Sequence, residues 1–335
     1  MKLLRIIGLP VAFVYGLIIH VRNFLYDTGI FKSKSFETPT VCVGNLSLGG
    51  TGKTPMVEFL VAALKDELKV AVLSRGYKRK SNGYIVANAD STVGSLGDEP
   101  YQIYNKFKHI TLAVDSNRSN GITTLEKEVK PNLIILDDAF QHRMVKPTFS
   151  ILLTAYNKYY SNDYFLPYGT LRDSRRQAKR AHIIVVTKCP PNLSVEEREN
   201  ISNGLKPEKS QKVLFSYLDY NNKLKGQAIA TTLEAISGVK FTLVTGIANP
   251  NPLIIYLKAK NLQFEHLRFK DHHSFSASEI EKLNLKEFVL TTEKDFVRLQ
   301  GKVEKLAYIE IAHKFIDNDK AELINELKKV TKLNF

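Results

Sequence analysis

The sequence predicts an α/β protein: a mostly parallel sheet with helices on both faces, a smaller C-terminal α/β lobe, and an apolar helix at the N-terminus. Three observations carry this. Short, nearly continuous apolar runs rich in Val and Ile alternate with helically spaced segments from residue 40 to residue 188, the pattern of strands buried on both faces. The alternation restarts after about residue 222, beyond the polar, turn-rich stretch LDYNNKLKG. The chain also opens on an apolar segment unlike anything that follows. The expected organisation is an N-terminal helix over 1–28, a core over 29–222, and a lobe over 223–335 that closes on the core across a cleft.

The N-terminal run, Ile6 to Ile19, is apolar nearly all round, with Lys2 and Arg5 before it and His20 and Arg22 after. It is shorter than the ~20 residues that cross a bilayer. No small-residue cleavage site follows, so it does not read as a secretory signal. It predicts either a core helix or a helix lying in the membrane interface, apolar residues at the acyl boundary and cations at the headgroups.

Strands follow at 40–45, 70–76, 109–115, 132–138, 149–155 and 182–188, with a helix over 54–68. In parallel sheets ligands bind beyond the carboxyl ends of the strands, where Asn45, Ser74, Asp115, Asp137 and Lys188 fall. In the second lobe, strands are expected at 241–250, 288–295 and 305–311, and helices at 252–260, 276–283 and 319–330.

The stretch VGNLSLGGTGKTP joins the first strand to the first core helix. It meets the phosphate-loop pattern G-x-x-x-x-G-K-[ST] over Ser47, Leu48, Gly49, Gly50, Thr51, Gly52, Lys53 and Thr54, except that Ser47 replaces the first glycine. Backbone N–H groups of such a loop face the phosphates, Lys53 reaches the β and γ oxygens, Thr54 holds Mg²⁺, and the helix start adds its positive end. The sheet is therefore expected to be P-loop NTPase-like. A strand that runs into Asp137 and Asp138 (LIILDDAFQHR) supplies acidic groups for the metal.

At 335 residues, 44% hydrophobic and 24% charged, the chain has the composition of a folded globular protein. Its two cysteines, Cys42 and Cys189, exclude a disulfide framework and a cysteine metal site, and fit a reducing compartment. The net charge of +14 gathers at Arg75, Lys78, Arg79 and Lys80, and at Arg172, Arg175, Arg176, Lys179 and Arg180. These clusters suit a phosphorylated substrate or an anionic lipid surface. No nucleic-acid-binding motif accompanies them, and no protein partner is implied.

A phosphate loop serves switches and kinases alike. Partition ATPases carry a lysine where this chain has Leu48, and GTPases carry an Asp where VTKCPP has Pro190. A kinase needs a base for the acceptor hydroxyl and cations for the migrating phosphoryl group. Asp98 and Glu99 of GDEP, and Asp271, His272 and His273 of FKDHHSF, are the candidates. A membrane-recruited P-loop ATPase switch is the alternative reading.

VGNLSLGGTGKTP, SRGYKRK, GDEP, LDDAFQHR, LPYGTLRDS, VTGIANP, FKDHHSF and TTEKD occur here in the order seen in the tetraacyldisaccharide 4'-kinases, the lipid A kinases of Gram-negative bacteria. The chain resembles that family from about Tyr26 to Asp295, and its apolar N-terminal helix is similar to the family's membrane-associating helix. The resemblance implies ATP- and Mg²⁺-dependent phosphorylation of the 4'-hydroxyl of a membrane-embedded glycolipid, a tetraacyldisaccharide 1-phosphate. The enzyme would act at the cytoplasmic face of the inner membrane, as a peripheral or monotopic protein on the anionic surface. It further implies Asp98 as catalytic base paired with His272, Lys53 and Arg172 on phosphate charge, and Thr54, Glu99, Asp137 or Asp138 toward Mg²⁺. Arg75, Arg118 and His142 would line the site.

Overall fold

The computed structural model of the protein describes residues 8–226 and 232–331. Lys2, Arg5 and the first two residues of the expected apolar run lie outside them. The described residues begin with α1 (Leu9–Asp27), followed by β1 (Thr40–Asn45), α2 (Lys53–Leu64), β2 (Val70–Ser74), β3 (Ile85–Val86), α3 (Val93–Leu96), α4 (Asp98–Lys106), β4 (Thr111–Val114), α5 (Arg118–Glu128), β5 (Leu133–Asp137), β6 (Phe149–Ala155), β7 (Ile183–Thr187), α6 (Val195–Leu205) and β8 (Lys212–Gly226). The second half holds β9 (Phe241–Thr245), α7 (Asn251–Ala259), β10 (Phe264–Arg268), α8 (Ala277–Asn284), β11 (Val289–Thr292), α9 (Glu293–Leu299), β12 (Leu306–Phe315) and α10 (Asp319–Thr331).

The twelve strands among the described residues join one sheet in the order β10-β9-β11-β12-β8-β7-β6-β1-β5-β2-β4-β3. Neighbours run parallel except at β12–β8 and β4–β3. Alternate residues of the central strands feed two apolar layers. Cys42, Leu73, Leu136 and Leu152 face one side, and Val41, Val43, Val72, Ile135 and Ile151 the other. This two-sided burial is why those strands read as unbroken apolar runs.

The expected boundary at 218–226 is not a linker. Those residues are the end of β8, whose start pairs with β7 through Ile183↔Lys212 to Val186↔Phe215 and whose remainder pairs with β12 from Ser216↔Phe315 to Gly226↔Ala307. Asn221, Asn222, Lys223 and Lys225 suggested turns, but the ladder to β12 holds the strand on both sides of a register irregularity between Tyr220 and Leu224, where Asn222 O accepts Leu233 N at 3.0 Å and Lys223 bridges Thr232. One strand thus belongs to both halves. The C-terminal helix also departs from the expected division: Leu323 and Leu327 of α10 are buried in the core of the first half. A charged knot adds to the joint, with Lys106 Nζ 2.6 Å from Glu58, 3.1 Å from Glu293 and 3.2 Å from Glu310.

In α1 the small residues Ala12 and Gly16, with Asn23, face the body of the protein, and a Cβ on Gly16 would lie 2.8 Å from the Phe165 ring. The outer face leaves Val11, Phe13, Val14, Leu17, Ile18, Val21 and Phe24 exposed, Phe13 by 75%. The helix is 19 residues long and its most apolar 18-residue window has a mean hydropathy of 1.4, long and apolar enough to cross a membrane by length and composition.

Candidate active site

β1 ends at Asn45 and the chain turns through the glycine-rich loop into α2. The loop starts extended: Ser47 bridges Leu171, Leu48 N donates to Thr170 O at 2.7 Å, and Arg172 N donates to Leu46 O at 2.8 Å. Positive φ is needed only at Gly49 (+112°) and Gly52 (+84°), so serine is tolerated at position 47. The LPYGTLRDS segment is therefore the outer wall of the phosphate loop.

Lys53, at the start of α2, extends its Nζ to 3.3 Å from Asn45 Oδ1 and 3.7 Å from Asp138 Oδ1. Arg172 grips Asp138 with two bonds of 2.9 and 3.2 Å and also donates to Asn45 Oδ1. Burial pulls the Asp138 carboxyl up, but the Lys53 charge and the Arg172 bonds outweigh it and hold its pKa below the usual range.

The adjacent carboxylate is in a different state. Asp138 takes φ +46°, a left-handed turn that sends the two side chains different ways. Asp137, only 3% exposed, accepts one bond from Ser74 Oγ at 2.9 Å, while its Oδ1 is buried without a partner. Burial, with the charges of Glu99 and Asp138, pushes its pKa up to about 6. Such an orphaned oxygen, with the half-buried Thr54 hydroxyl and Glu99 carboxylate as further oxygen donors, suits a hard divalent cation.

The second half brings its own groups to this edge. Asp98, the first residue of α4, has its Oδ2 2.7 Å from His272 Nδ1 and 3.2 Å from Arg298 Nε. His272 holds a left-handed backbone (φ +60°) in the loop between β10 and α8, its N–H donating to Gly246 O at 3.2 Å. A non-glycine residue there is held by its surroundings at some cost, a pattern that gathers at functional sites. His273 does not compete for Asp98, because it stacks on Phe269 and bonds Glu279 at 3.0 Å.

Lys294 Nζ, from α9, lies 3.1 Å from His272 Nε2, 3.3 Å from Glu99 and 3.5 Å from Asp271. An ammonium only donates, so Nε2 is the acceptor and Nδ1 carries the proton that it donates to Asp98. Desolvation alone would raise the Asp98 pKa; the His272 bond and the Arg298 charge more than reverse this and hold it below the usual carboxylate value.

Of the remaining candidates, Arg75 is exposed and Arg118 is buried, its guanidinium on the carbonyls of Asp115 and Asp137 at 2.8 and 3.2 Å. Arg118 thus shapes the end of β5 instead of presenting itself to a phosphate. Burial and the charges of Arg118 and Arg75 push the His142 pKa down to about 4, so its imidazole is neutral near pH 7. Sequence reading gave no role to Lys294, which lies within TTEKD, to Arg298, just beyond it, or to Gln141, whose amide donates to Asn45 O at 2.6 Å.

α1 is tied to the same loops. Tyr15 OH donates to Arg172 O at 3.0 Å, Arg22 to Gln141 O at 2.8 Å, and Asn23 to Asp173 at 2.7 Å.

The family model described as Tetraacyldisaccharide-1-P 4'-kinase matches residues 4–332. The tetraacyldisaccharide 4'-kinase of Flavobacterium johnsoniae is 48% identical over 324 residues, 95% of each chain. That of Flavobacterium psychrophilum is 44% identical over 342 residues, 99% of each chain. Among solved structures, LpxK from Aquifex aeolicus in complex with ATP aligns with a TM-score of 0.79 at 29% identity, covering 96% of this chain and 99% of that one.

Proposed function

This chain belongs to the tetraacyldisaccharide-1-P 4'-kinase family, and from that premise we propose how its residues carry out the reaction. The enzyme uses ATP to phosphorylate the 4'-hydroxyl of tetraacyldisaccharide 1-phosphate, the lipid A precursor, in lipopolysaccharide biosynthesis.

The amides of residues 49–52 and the Lys53 ammonium hold the ATP phosphates, and Arg172 leaves Asp138 to meet charge on the migrating phosphoryl group. Thr54, Glu99 and Asp137 would hold Mg²⁺, Asp137 through the Oδ1 that is buried without a protein partner. When bound, the ion neutralises charge on the β and γ oxygens. Asp98 accepts the proton of the sugar hydroxyl through Oδ1, because both of its protein contacts fall on Oδ2. The neutral His272 orients that carboxylate and steadies it.

The acceptor lies in a bilayer, and the exposed apolar face of α1 supports a peripheral or monotopic attachment there. The basic surplus suits the anionic cytoplasmic leaflet of the inner membrane, on the side where ATP is available.

One observation carries this assignment: the 2.7 Å contact between Asp98 and His272, 174 residues apart and contributed by α4 and by the loop between β10 and α8. An ATPase switch has no need of it. With labelled ATP and total lipid extract, label should enter the lipid phase, and Asp98→Asn should slow transfer by about 10² to 10⁴ while ATP still binds. Label released only as free phosphate would favour the membrane-recruited switch.

A further inference from the structure

The last strand of the sheet reaches the phosphate loop from the opposite half. His313 of β12 is 4% exposed, its Nε2 lies 3.0 Å from the carbonyl oxygen of Gly52, and its Nδ1 lies 3.0 Å from Ser216 Oγ on β8. A carbonyl only accepts, so Nε2 carries the hydrogen and the Ser216 hydroxyl donates to Nδ1. Burial pushes the imidazole pKa down to about 4, which keeps that neutral tautomer at physiological pH.

Gly52 is the residue before Lys53 and has a left-handed backbone (φ +84°), a conformation that glycine adopts without strain. Its carbonyl oxygen also accepts Met56 N at 3.1 Å as the first helical bond of α2, so His313 fills its second lone pair. A Cβ on Gly52 would lie 3.0 Å from Nε2 and 3.2 Å from Cε1, so ring and glycine are fitted to one another. Two residues further along β12, Phe315 packs on Phe59 of α2 at 5.0 Å between ring centres.

We infer that His313 is a positioning residue for ATP: with Ser216 it clamps the Gly52 peptide so that the phosphate loop keeps its amides and Lys53 aimed at the nucleotide. The inference rests on the reading of residues 47–54 as the ATP phosphate site. It makes the second half of the sheet a support for nucleotide as well as the source of His272.

The test uses the full-length enzyme, with ATP binding measured by equilibrium dialysis and separate KM values for ATP and for lipid. His313→Phe keeps the ring and removes the donor; it should weaken ATP binding and raise the KM for ATP about five- to tenfold, leaving the lipid KM unchanged. His313→Gln, whose amide can reach the same carbonyl, should restore affinity to within about twofold, and Ser216→Ala should cost about two- to threefold. Nitrogen NMR should report the Nε2–H tautomer for His313 in the wild type. ATP affinity unchanged in His313→Phe, or both KM values rising together, overturns the inference. If that variant does not fold, unchanged ATP affinity in Ser216→Ala overturns it and the predicted loss upholds it. Lys53→Ala is the control: if it binds ATP as the wild type does, the phosphate-site reading itself fails, whereas its loss beside an unaffected His313→Phe removes only His313.

Discussion

Asp137→Asn separates the cost of a buried carboxylate from its use. Asp137 ionises at about 6 instead of near 3.9, so folding with the charge in place is less favourable by about 3 kcal/mol. The folded state binds the extra proton, so this penalty is absent below about pH 4, grows through the interval to about pH 6, and is complete above it. Asparagine keeps an oxygen for Ser74 and carries no charge. Without divalent cation, the variant should melt roughly 5 °C above the wild type at about pH 8 and show no gain near pH 4. Magnesium chloride should then raise the wild-type melting temperature at about pH 8 and leave the variant unmoved, and phosphoryl transfer by the variant should collapse. Scanning calorimetry across this pH range is the assay. A variant that melts below the wild type by the same margin at every pH would refute the reasoning, since the carboxylate would then be a structural acceptor and not a desolvated anion.

The other expectations can be tested together. His272→Ala removes the bond that helps hold the Asp98 pKa down, so the acid limb of the kcat profile should move to higher pH, with loss of about 10- to 100-fold at neutrality; an unmoved limb would disconnect His272 from the base. Lys294→Met should lower kcat more than the KM for ATP, Lys294→Arg should recover part of it, and the nitrogen NMR signature of His272 should lose its Nδ1–H tautomer in the Met variant; an unchanged tautomer would show that Lys294 does not set it. Lys106→Met leaves Glu58, Glu293 and Glu310 without their shared cation, so unfolding should become easier by about 3–5 kcal/mol in denaturant melts, and a neutral result would show the knot to be solvated. Phe13→Asp with Leu17→Asp should abolish flotation with anionic vesicles while leaving ATP binding intact; retained flotation would take α1 out of membrane attachment.

The parts of the site that lie in one contiguous motif were legible. The loop 47–54 announces itself because glycine, lysine and threonine each have a fixed task there, and the Asp pair follows an apolar strand whose direction is readable. The choice between His272 and His273 was open in sequence. It is decided by packing, since the Phe269 ring and Glu279 claim one imidazole and leave the other to Asp98. Lys294 lay inside TTEKD without a stated role and Arg298 gave no signal, because nothing in the α9 pattern says that the start of α4 lies opposite it. β8 was misread for a compositional reason: its polar residues satisfy a turn rule locally, and only the distant partner β12 makes them a strand. Asn45 was legible as a strand end at the ligand edge, whereas Gln141 was missed because an amide that holds a loop leaves no charge pattern.

β8 is common to both halves, and this constrains how the enzyme can vary. A free tether can gain or lose residues at little cost, but here the joint is a register of backbone bonds with side chains alternating between faces. Deleting Ser216, where the pairing passes from β7 to β12, would reverse the side chains that follow it as far as the register irregularity beyond Tyr220 and carry the distal half, with the His272 loop, out of step with Asp98. Natural length polymorphism should accordingly be confined to the surface loops, and an engineered insertion at this junction should silence the enzyme even where each half still folds.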